Sequence, residues 1–366
     1  MSCQRRSRRR HLYIPPKIIS RSGETLYLCG ASGYARASIL RTEKRFTIIH
    51  DELSVTVRFK ALAKYPIAVV HRAALHAGVV VLPNHYYTSV ADVHELRRQR
   101  RIWANRSAMI GVDMNVAEQA GQLLQMVKPY ESEYRGNVAY NEGTAKGFGP
   151  GFGYIEAQCL HGVLRALKPR KVCEVGSGVS TYCALRALAR NESEGHFAHL
   201  TCIEPNPSKF LRSMRSKKAV ELIEQPVQAV DPNVFQELEA GDLLFIDTTH
   251  VVKPGGEVIY LYLEAIPRLR PGVIVHIHDI YFPYLYQRDL LQLRNLFQWS
   301  ETALLLALLV NNKRLSVLFC LSLLHYDAPA VLSSVFPEYT PQPADDGLCA
   351  SSATGHFPSS IYLRTG

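Results

Sequence analysis

The hydrophobic pattern of this 366-residue chain changes character near residue 150. Before that point the clearest signal is helical. ALAKYPIAVVHRAALHAGVVVL (61–82) reads as a helix followed by a short apolar run. Residues 91–129 read as helices, first the charged HELRRQRRIWANRS, then VAEQAGQLLQMV with its apolar residues at helical spacing. Residues 22–60 are mixed in pattern and predict no definite element. NEGTAKGFGPGFGY (141–154), rich in glycine and aromatics, interrupts the pattern and reads as a linker.

After the break the rhythm becomes strand, helix, strand. IEAQCLHGVLRAL predicts a helix that Lys168-Pro169 ends, and KVCEV (171–175) a strand. A glycine turn leads into a helix at about 180–190, and HLTCIE (199–204) is the next strand. PSKFLRSMRS (helix), AVELIEQ (strand), NVFQELEA (short helix), DLLFID (242–247, strand), EVIYLYLEAIPRL (helix) and VIVHIHD (273–279, strand) follow. ALLLALLV (303–310) reads as a buried helix before the strand LSVLF, and residues 325–358 as a loop over one sheet edge. Strands and helices alternating at this spacing predict a parallel sheet covered on both faces. In such sheets ligands lie at the carboxyl ends of the strands, where strand order reverses.

Composition is that of a globular protein, with 47% hydrophobic and 20% charged residues. The formal charge of +10 invites a nucleic-acid reading, but its placement narrows it. Arg5, Arg6, Arg8, Arg9, Arg10, Lys17 and Arg21 supply +7 within residues 1–21, leaving +3 for the rest. A solvated basic tail is expected there, and any nucleic-acid contact would run through it. No run reaches the roughly 18 apolar residues of a membrane span. The eight cysteines form no CxxC pair, which suits a reducing, cytoplasmic setting.

The polar residues that interrupt this pattern all fall at predicted strand ends. In EVGSGVST (174–181), Gly176 and Gly178 allow a tight turn and close approach of a ligand to the backbone, and Ser180 or Thr181 can cap the next helix. The third glycine of a dinucleotide fingerprint is replaced by Thr181. Glu204 closes the next strand, where a carboxylate can accept both ribose hydroxyls of an adenosine ligand. LLFIDTTH ends in Asp247 with His250 shortly after, and VIVHIHD ends in His278 and Asp279. If these two strands are neighbours, about 4.8 Å apart, Asp247 and Asp279 converge and either raise one another's pKa or share a cation such as Mg²⁺. Added imidazole would tilt the site toward a transition metal. His276 faces the same side as His278 but lies deeper, as a core histidine would. His250 or His278 could serve as general base near neutral pH. Tyr154, Tyr281, Phe282 and Tyr284 could line a pocket for a ring-shaped acceptor, or pack at the sheet edge.

Together these stretches resemble the class I S-adenosylmethionine-dependent methyltransferases, more narrowly the bacterial group called methyltransferase domain 24. The matching text is FGYIEAQCLHGVLRALKPRKVCEVGSGVST, IEPNP, VQAVDPNVFQELEAGDLLFIDTTHV and IPRLRPGVIVHIHDIYFP, and the similarity runs over roughly residues 80–366. The resemblance implies a three-layer Rossmann-like α/β fold. Its seven-stranded, mostly parallel sheet would have an antiparallel last strand, here Ser360 to Arg364. It further implies that Gly176, Ser177, Gly178 and Thr181 hold the methionine part of S-adenosylmethionine, with Glu174 near its amino group. Glu204 would take the ribose, Gln228 the adenine, and Asp247 would border both cofactor and acceptor. Related metal-dependent enzymes hold Mg²⁺ with acids at the places of Asp247 and Asp279, but His278 stands where some of them have an acid.

The domain reading is a basic tail (1–21), a largely helical extension (22–140), a glycine-rich linker (141–153) and a methyltransferase domain (154–366). The functional reading is methylation of a small-molecule or saccharide hydroxyl, with or without Mg²⁺, by Asp247, His250 and His278. Two others compete: an NAD-dependent oxidoreductase, and a non-catalytic nucleic-acid-binding protein of the same fold.

Overall fold

The computed structural model describes residues 67–366 apart from 149–150, 218, 293–296, 343–345 and 350–355. From 17 to 66 it gives backbone elements alone, without 23–24, 31–32, 43–44, 51–52 and 59. Residues 1–16 of the expected basic tail lie outside the described residues. The chain divides into two compact units, Met1–Ser89 and Val90–Gly366.

The first unit holds five strands in sequential antiparallel order: β1 (Lys17–Ser22), β2 (Thr25–Gly30), β3 (Gly33–Thr42), β4 (Arg45–His50) and β5 (Leu53–Arg58). Helix α1 (Lys60–His76) follows. A largely helical extension from residue 22 is therefore corrected over its first third, and Lys17–Ser22, expected in the tail, is the first strand. The physical reason is visible in TLYLCG, RFTIIH and LSVTVR, short segments rich in β-branched and aromatic residues that suit a pleated surface.

In the second unit the helices α2 (Val93–Arg98), α3 (Arg100–Trp103), α4 (Val116–Met126), α5 (Glu131–Tyr134) and α6 (Val138–Ala145) precede the large sheet. Asp92 starts α2 by accepting from the backbone N–H groups of His94 and Glu95, and Asn115 starts α4 in the same way. Leu123, Met126, Val127 and Tyr134 are buried in one cluster with sheet residues. This unit thus reaches back to Val90, ahead of the glycine-rich tract.

The core then runs α7 (Tyr154–Leu167), β6 (Lys171–Val175), α8 (Val179–Ser193), β7 (His199–Ile203), α9 (Lys209–Ser216), β8 (Glu221–Ile223), α10 (Asn233–Gln236) and β9 (Leu243–Ile246). Helix α11 (Glu257–Tyr260) continues through a π turn and a 3-10 turn to Arg268. After it come β10 (Ile274–Ile277), α12 (Glu301–Leu309), β11 (Leu315–Cys320), α13 (Leu321–Asp327), α14 (Pro329–Val335) and β12 (Ile361–Thr365). The expected loop 325–358 is in part helical, because Leu332, Val335 and Phe336 are fully buried against the core.

The sheet order is β11-β12-β10-β9-β6-β7-β8, with β12 antiparallel to both its neighbours and β6 to β10 mutually parallel. Strand alternation separates two apolar layers. Val172, Leu243, Phe245 and Ile274 face one, whereas Cys173, Val175, Leu244, Ile246, Val275 and Ile277 face the other. His276 lies in the first layer, stacked between Phe245 (4.2 Å between centroids) and Tyr362 (4.1 Å), its cross-strand partners on either side. Its Nε2 meets Ser360 Oγ at 2.8 Å and burial holds its pKa well below the ordinary value, so it is a neutral core residue. Among the described residues no helix is long and apolar enough to cross a membrane.

Candidate active site

β6 has β7 on one side and β9 on the other, so the crossovers leave it in opposite directions and open a crevice at the strand ends. Each of four strands there hands its next residue to the rim. Gly176, Glu204, Asp247 and His278 directly follow β6, β7, β9 and β10, and each donates one further backbone hydrogen bond to the neighbouring strand. The acceptors are the carbonyls of Ile203 (3.0 Å), Ile223 (3.1 Å), Val175 (2.9 Å) and Ile246 (3.0 Å). The rim therefore inherits the rigidity of the sheet.

Gly176 sits at φ +82°, and a Cβ there would lie 1.7 Å from the carbonyl oxygen of Asp247. Only glycine allows this backbone to pass beneath Asp247. Ser177 N–H donates to Glu204 (3.4 Å), so the acid of the second strand lies against the turn of the first. Thr181 Oγ1 accepts from Gly178 N–H (3.3 Å) and donates to Glu174 (2.6 Å), and Ser180 donates to the other oxygen of Glu174 at 2.6 Å. The hydroxyls of Ser177 and Thr248 are buried without a hydrogen-bond partner. A polar ligand in the crevice would satisfy both.

Glu174 is buried, and burial raises its pKa to about 7 against the hydrogen bonds from Ser180 and Thr181 that pull it down. An acid whose pKa is higher folded than unfolded favours folding most below its unfolded value. That advantage shrinks as pH rises from 4.5 to about 7. Ligand-free protein should thus lose roughly 3 kcal/mol of stability from this residue across that range. Urea unfolding at pH 5 and pH 8 checks it, because Glu174→Gln should remove that part of the pH slope.

Beside this turn lies a buried cluster of two carboxylates and two imidazoles. Asp247 Oδ1 is 3.4 Å from His250 Nε2 and 3.4 Å from His278 Nδ1, and Asp279 Oδ2 is 3.4 Å from each of the same nitrogens. His250 Nδ1 pairs with Glu301 Oε2 at 2.8 Å. Asp279 Oδ1 accepts from Ser359 Oγ and Tyr281 OH, both at 2.9 Å, which turns its second oxygen toward the histidines. His250 (φ +60°) and Asp279 (φ +56°) hold left-handed backbone conformations that such residues seldom adopt.

Electrostatics in the cluster are strongly coupled. Burial alone would lower the pKa of His250. The Asp247 carboxylate beside it, the hydrogen bond to Glu301 and the charges of Asp279 and Glu301 overcome it and raise the group to about 10. His278 is pushed down by burial and carried well above its usual value by Asp279 and Asp247. Both aspartates resist the upward push of burial and are lowered by the histidines. Without a bound cation, the cluster draws positive charge onto its imidazoles.

The structure thus brings Glu174, Gly176, Ser177, Gly178, Thr181, Glu204 and Asp247 along one crevice, with His250, His278 and Asp279 beside Asp247. Gln228 is exposed, and its amide donates to Gly255 O at 2.8 Å. Of the aromatic candidates, Phe282 and Tyr284 are buried packing residues and Tyr281 serves Asp279. Trp299, which the motifs do not indicate, has its ring 4.8 Å from that of His250. Glu301, Ser359 and Trp299 stand 51, 80 and 49 positions from the residues they touch, and no local spacing marks them.

The seven-stranded sheet, with an antiparallel strand inserted next to the edge, has the order and directions that the sequence resemblance implies. Residues 173–280 match the family model described as a methyltransferase domain. An uncharacterized protein of Archaeoglobus fulgidus is 28% identical over 173 residues, 44% of this chain and 75% of that protein. Among solved structures, an SAH-bound methyltransferase of Podospora anserina is 14% identical, with 79% of this chain and 99% of that chain covered and a TM-score of 0.33. An O-methyltransferase of Bacillus cereus, in complex with SAH, is 15% identical, with 52% and 88% covered and a TM-score of 0.34.

Proposed function

We propose that this rim transfers a methyl group from S-adenosylmethionine to a hydroxyl of a small-molecule or saccharide acceptor. The observation that carries the reading is the close passage of Gly176 beneath Asp247, which joins the cofactor turn to the acid–histidine cluster. The unpartnered hydroxyls of Ser177 and Thr248 and the side-chain-free turn at Gly176 fit S-adenosylmethionine. Its sulfonium supplies an activated methyl group when bound. Gly176, Ser177, Gly178 and Thr181 would hold the methionine end, with Glu174 behind them, and Glu204 the ribose. Gln228 remains the adenine contact implied by the family alone.

The chain's own task is then to align the acceptor oxygen and remove its proton. Asp247 and Asp279 orient the hydroxyl at the rim, directly or through a cation such as Mg²⁺. His250, held by Glu301 through Nδ1, presents Nε2 to the same place and, in its deprotonated form, accepts the proton. Transfer should therefore rise with pH above neutrality as the group, raised to about 10, loses its own proton. The Trp299 ring lies 4.8 Å from that of His250 and gives the rim an apolar, aromatic side against which an acceptor could rest. The test is SAH release from S-adenosylmethionine with a panel of phenolic and saccharide hydroxyl acceptors. His250→Ala should slow transfer to any accepted compound by about 100-fold, and full turnover in that variant would remove His250 from the mechanism.

A further inference from the structure

The spacing inside the cluster is at odds with hydrogen bonding. A proton shared between imidazole and carboxylate brings N and O to roughly 2.7–3.2 Å, yet all four nitrogen–oxygen separations are 3.4 Å. His278 is buried, and neither of its ring nitrogens has a hydrogen-bond partner. Its Nδ1 nevertheless points between two carboxylates. His250 has its Nδ1 on Glu301, so its neutral tautomer turns the Nε2 lone pair toward the same two oxygens. With both imidazoles neutral, four acceptor atoms face one another, alternately nitrogen and oxygen, and one cation among them would satisfy all four.

Donors placed about 2.1 Å from one ion lie roughly 3.0 to 3.4 Å apart, depending on whether they meet at right or tetrahedral angles. The observed 3.4 Å separations belong in that range. The three donor atoms of Asp247, His250 and His278 all lie within 4.8 Å of one another. Glu301 behind His250 completes a carboxylate–histidine–metal relay of the kind that fixes a ligand's tautomer. Ser359 and Tyr281 do the corresponding work for Asp279.

We propose that Asp247, His250 and His278, with Asp279 beside them, bind one divalent first-row transition ion in preference to Mg²⁺. Imidazole nitrogen suits such ions, whereas Mg²⁺ takes oxygen donors. The inference deepens the methyltransferase reading and rests on its placement of the acceptor at this rim. With the ion in place the two histidines would be ligands and His250 would no longer be the base. The ion would lower the pKa of an acceptor hydroxyl bound to it, so that the proton passes to solvent before the oxygen takes the methyl group.

The test uses the full chain stripped of metal with a chelator and titrated with Co²⁺ under visible absorption, with Mg²⁺ titrated by calorimetry. One equivalent of Co²⁺ should bind with d–d bands of a nitrogen-containing site, at least 100-fold more tightly than Mg²⁺. Glu301→Gln should weaken Co²⁺ binding 10- to 100-fold, and His278→Ala at least tenfold. His278→Asp keeps a donor at that position and covers the case in which the alanine variant fails to fold, and it should narrow the Co²⁺/Mg²⁺ gap. Absence of saturable Co²⁺ binding in the wild type, equal affinities for Co²⁺ and Mg²⁺, or a Co²⁺ affinity and Co²⁺/Mg²⁺ ratio unchanged in His278→Asp would overturn the proposal. SAH binding by the same preparations reports on the transferase reading separately, so its persistence without Co²⁺ binding sinks the metal assignment alone.

Discussion

Gly176→Ala should abolish measurable S-adenosylhomocysteine binding, lowering affinity at least 1000-fold, and should destabilise the protein by about 3 to 5 kcal/mol. The left-handed backbone at φ +82° costs an alanine about 1 kcal/mol or more. The larger part is steric. A methyl group 1.7 Å from the Asp247 carbonyl oxygen meets backbone, not a movable side chain. Relief requires the ends of β6 and β9 to part, which breaks the bond from Asp247 N–H to Val175 O and displaces both the glycine turn and Asp247. Gly195→Ala is the control. That glycine has φ +84° with nothing within 4 Å, so alanine there meets only the backbone cost and should leave ligand binding unchanged. Thermal melting and calorimetry on the two variants separate strain from clash, and equal losses in both would refute the steric account.

Asp247→Asn should cut methyl transfer about 1000-fold while leaving the far-UV spectrum and the cooperative melt intact. The side chain keeps its volume but loses the charge that faces His250 Nε2 and His278 Nδ1, each 3.4 Å away. General acid–base arrangements contribute roughly 100- to 10,000-fold, and removal of the residue at the centre of this one should fall well inside that span. Initial rates of SAH release at saturating acceptor provide the readout. Retention of more than half the wild-type rate would show that chemistry occurs elsewhere.

The large sheet was legible because its strands are short apolar runs, each closed by a polar residue. KVCEV is β6 to the residue, and VIVHIHD contains β10 with His278 and Asp279 just beyond it. The polar strand ends marked the rim, because Asp247 and Glu204 stand at the carboxyl ends of parallel strands where ligands bind, whereas Glu174 and His276 are polar residues kept inside buried strands by hydrogen-bond partners. His276 shows the limit of that reading, since its burial was predictable but its stacking between Phe245 and Tyr362 depends on which strands become neighbours. Glu301 and Ser359 were illegible, because a single acid opening an apolar helix and a serine before the last strand carry no spacing that ties them to residues 51 and 80 positions away. The five strands between residues 17 and 58 escaped for another reason. Their polar and apolar positions are mixed too evenly for one buried face to stand out, and only their regular short length hints at a meander.

The central claim is that the crevice beside Gly176 and Glu204 holds S-adenosylmethionine. Isothermal titration calorimetry of the full chain with S-adenosylhomocysteine, and separately with NAD, tests it most directly. The account predicts saturable one-to-one binding of S-adenosylhomocysteine in the micromolar range, about −7 to −8 kcal/mol, and no saturable heat with NAD. Saturable NAD binding, or no heat with S-adenosylhomocysteine, would contradict it.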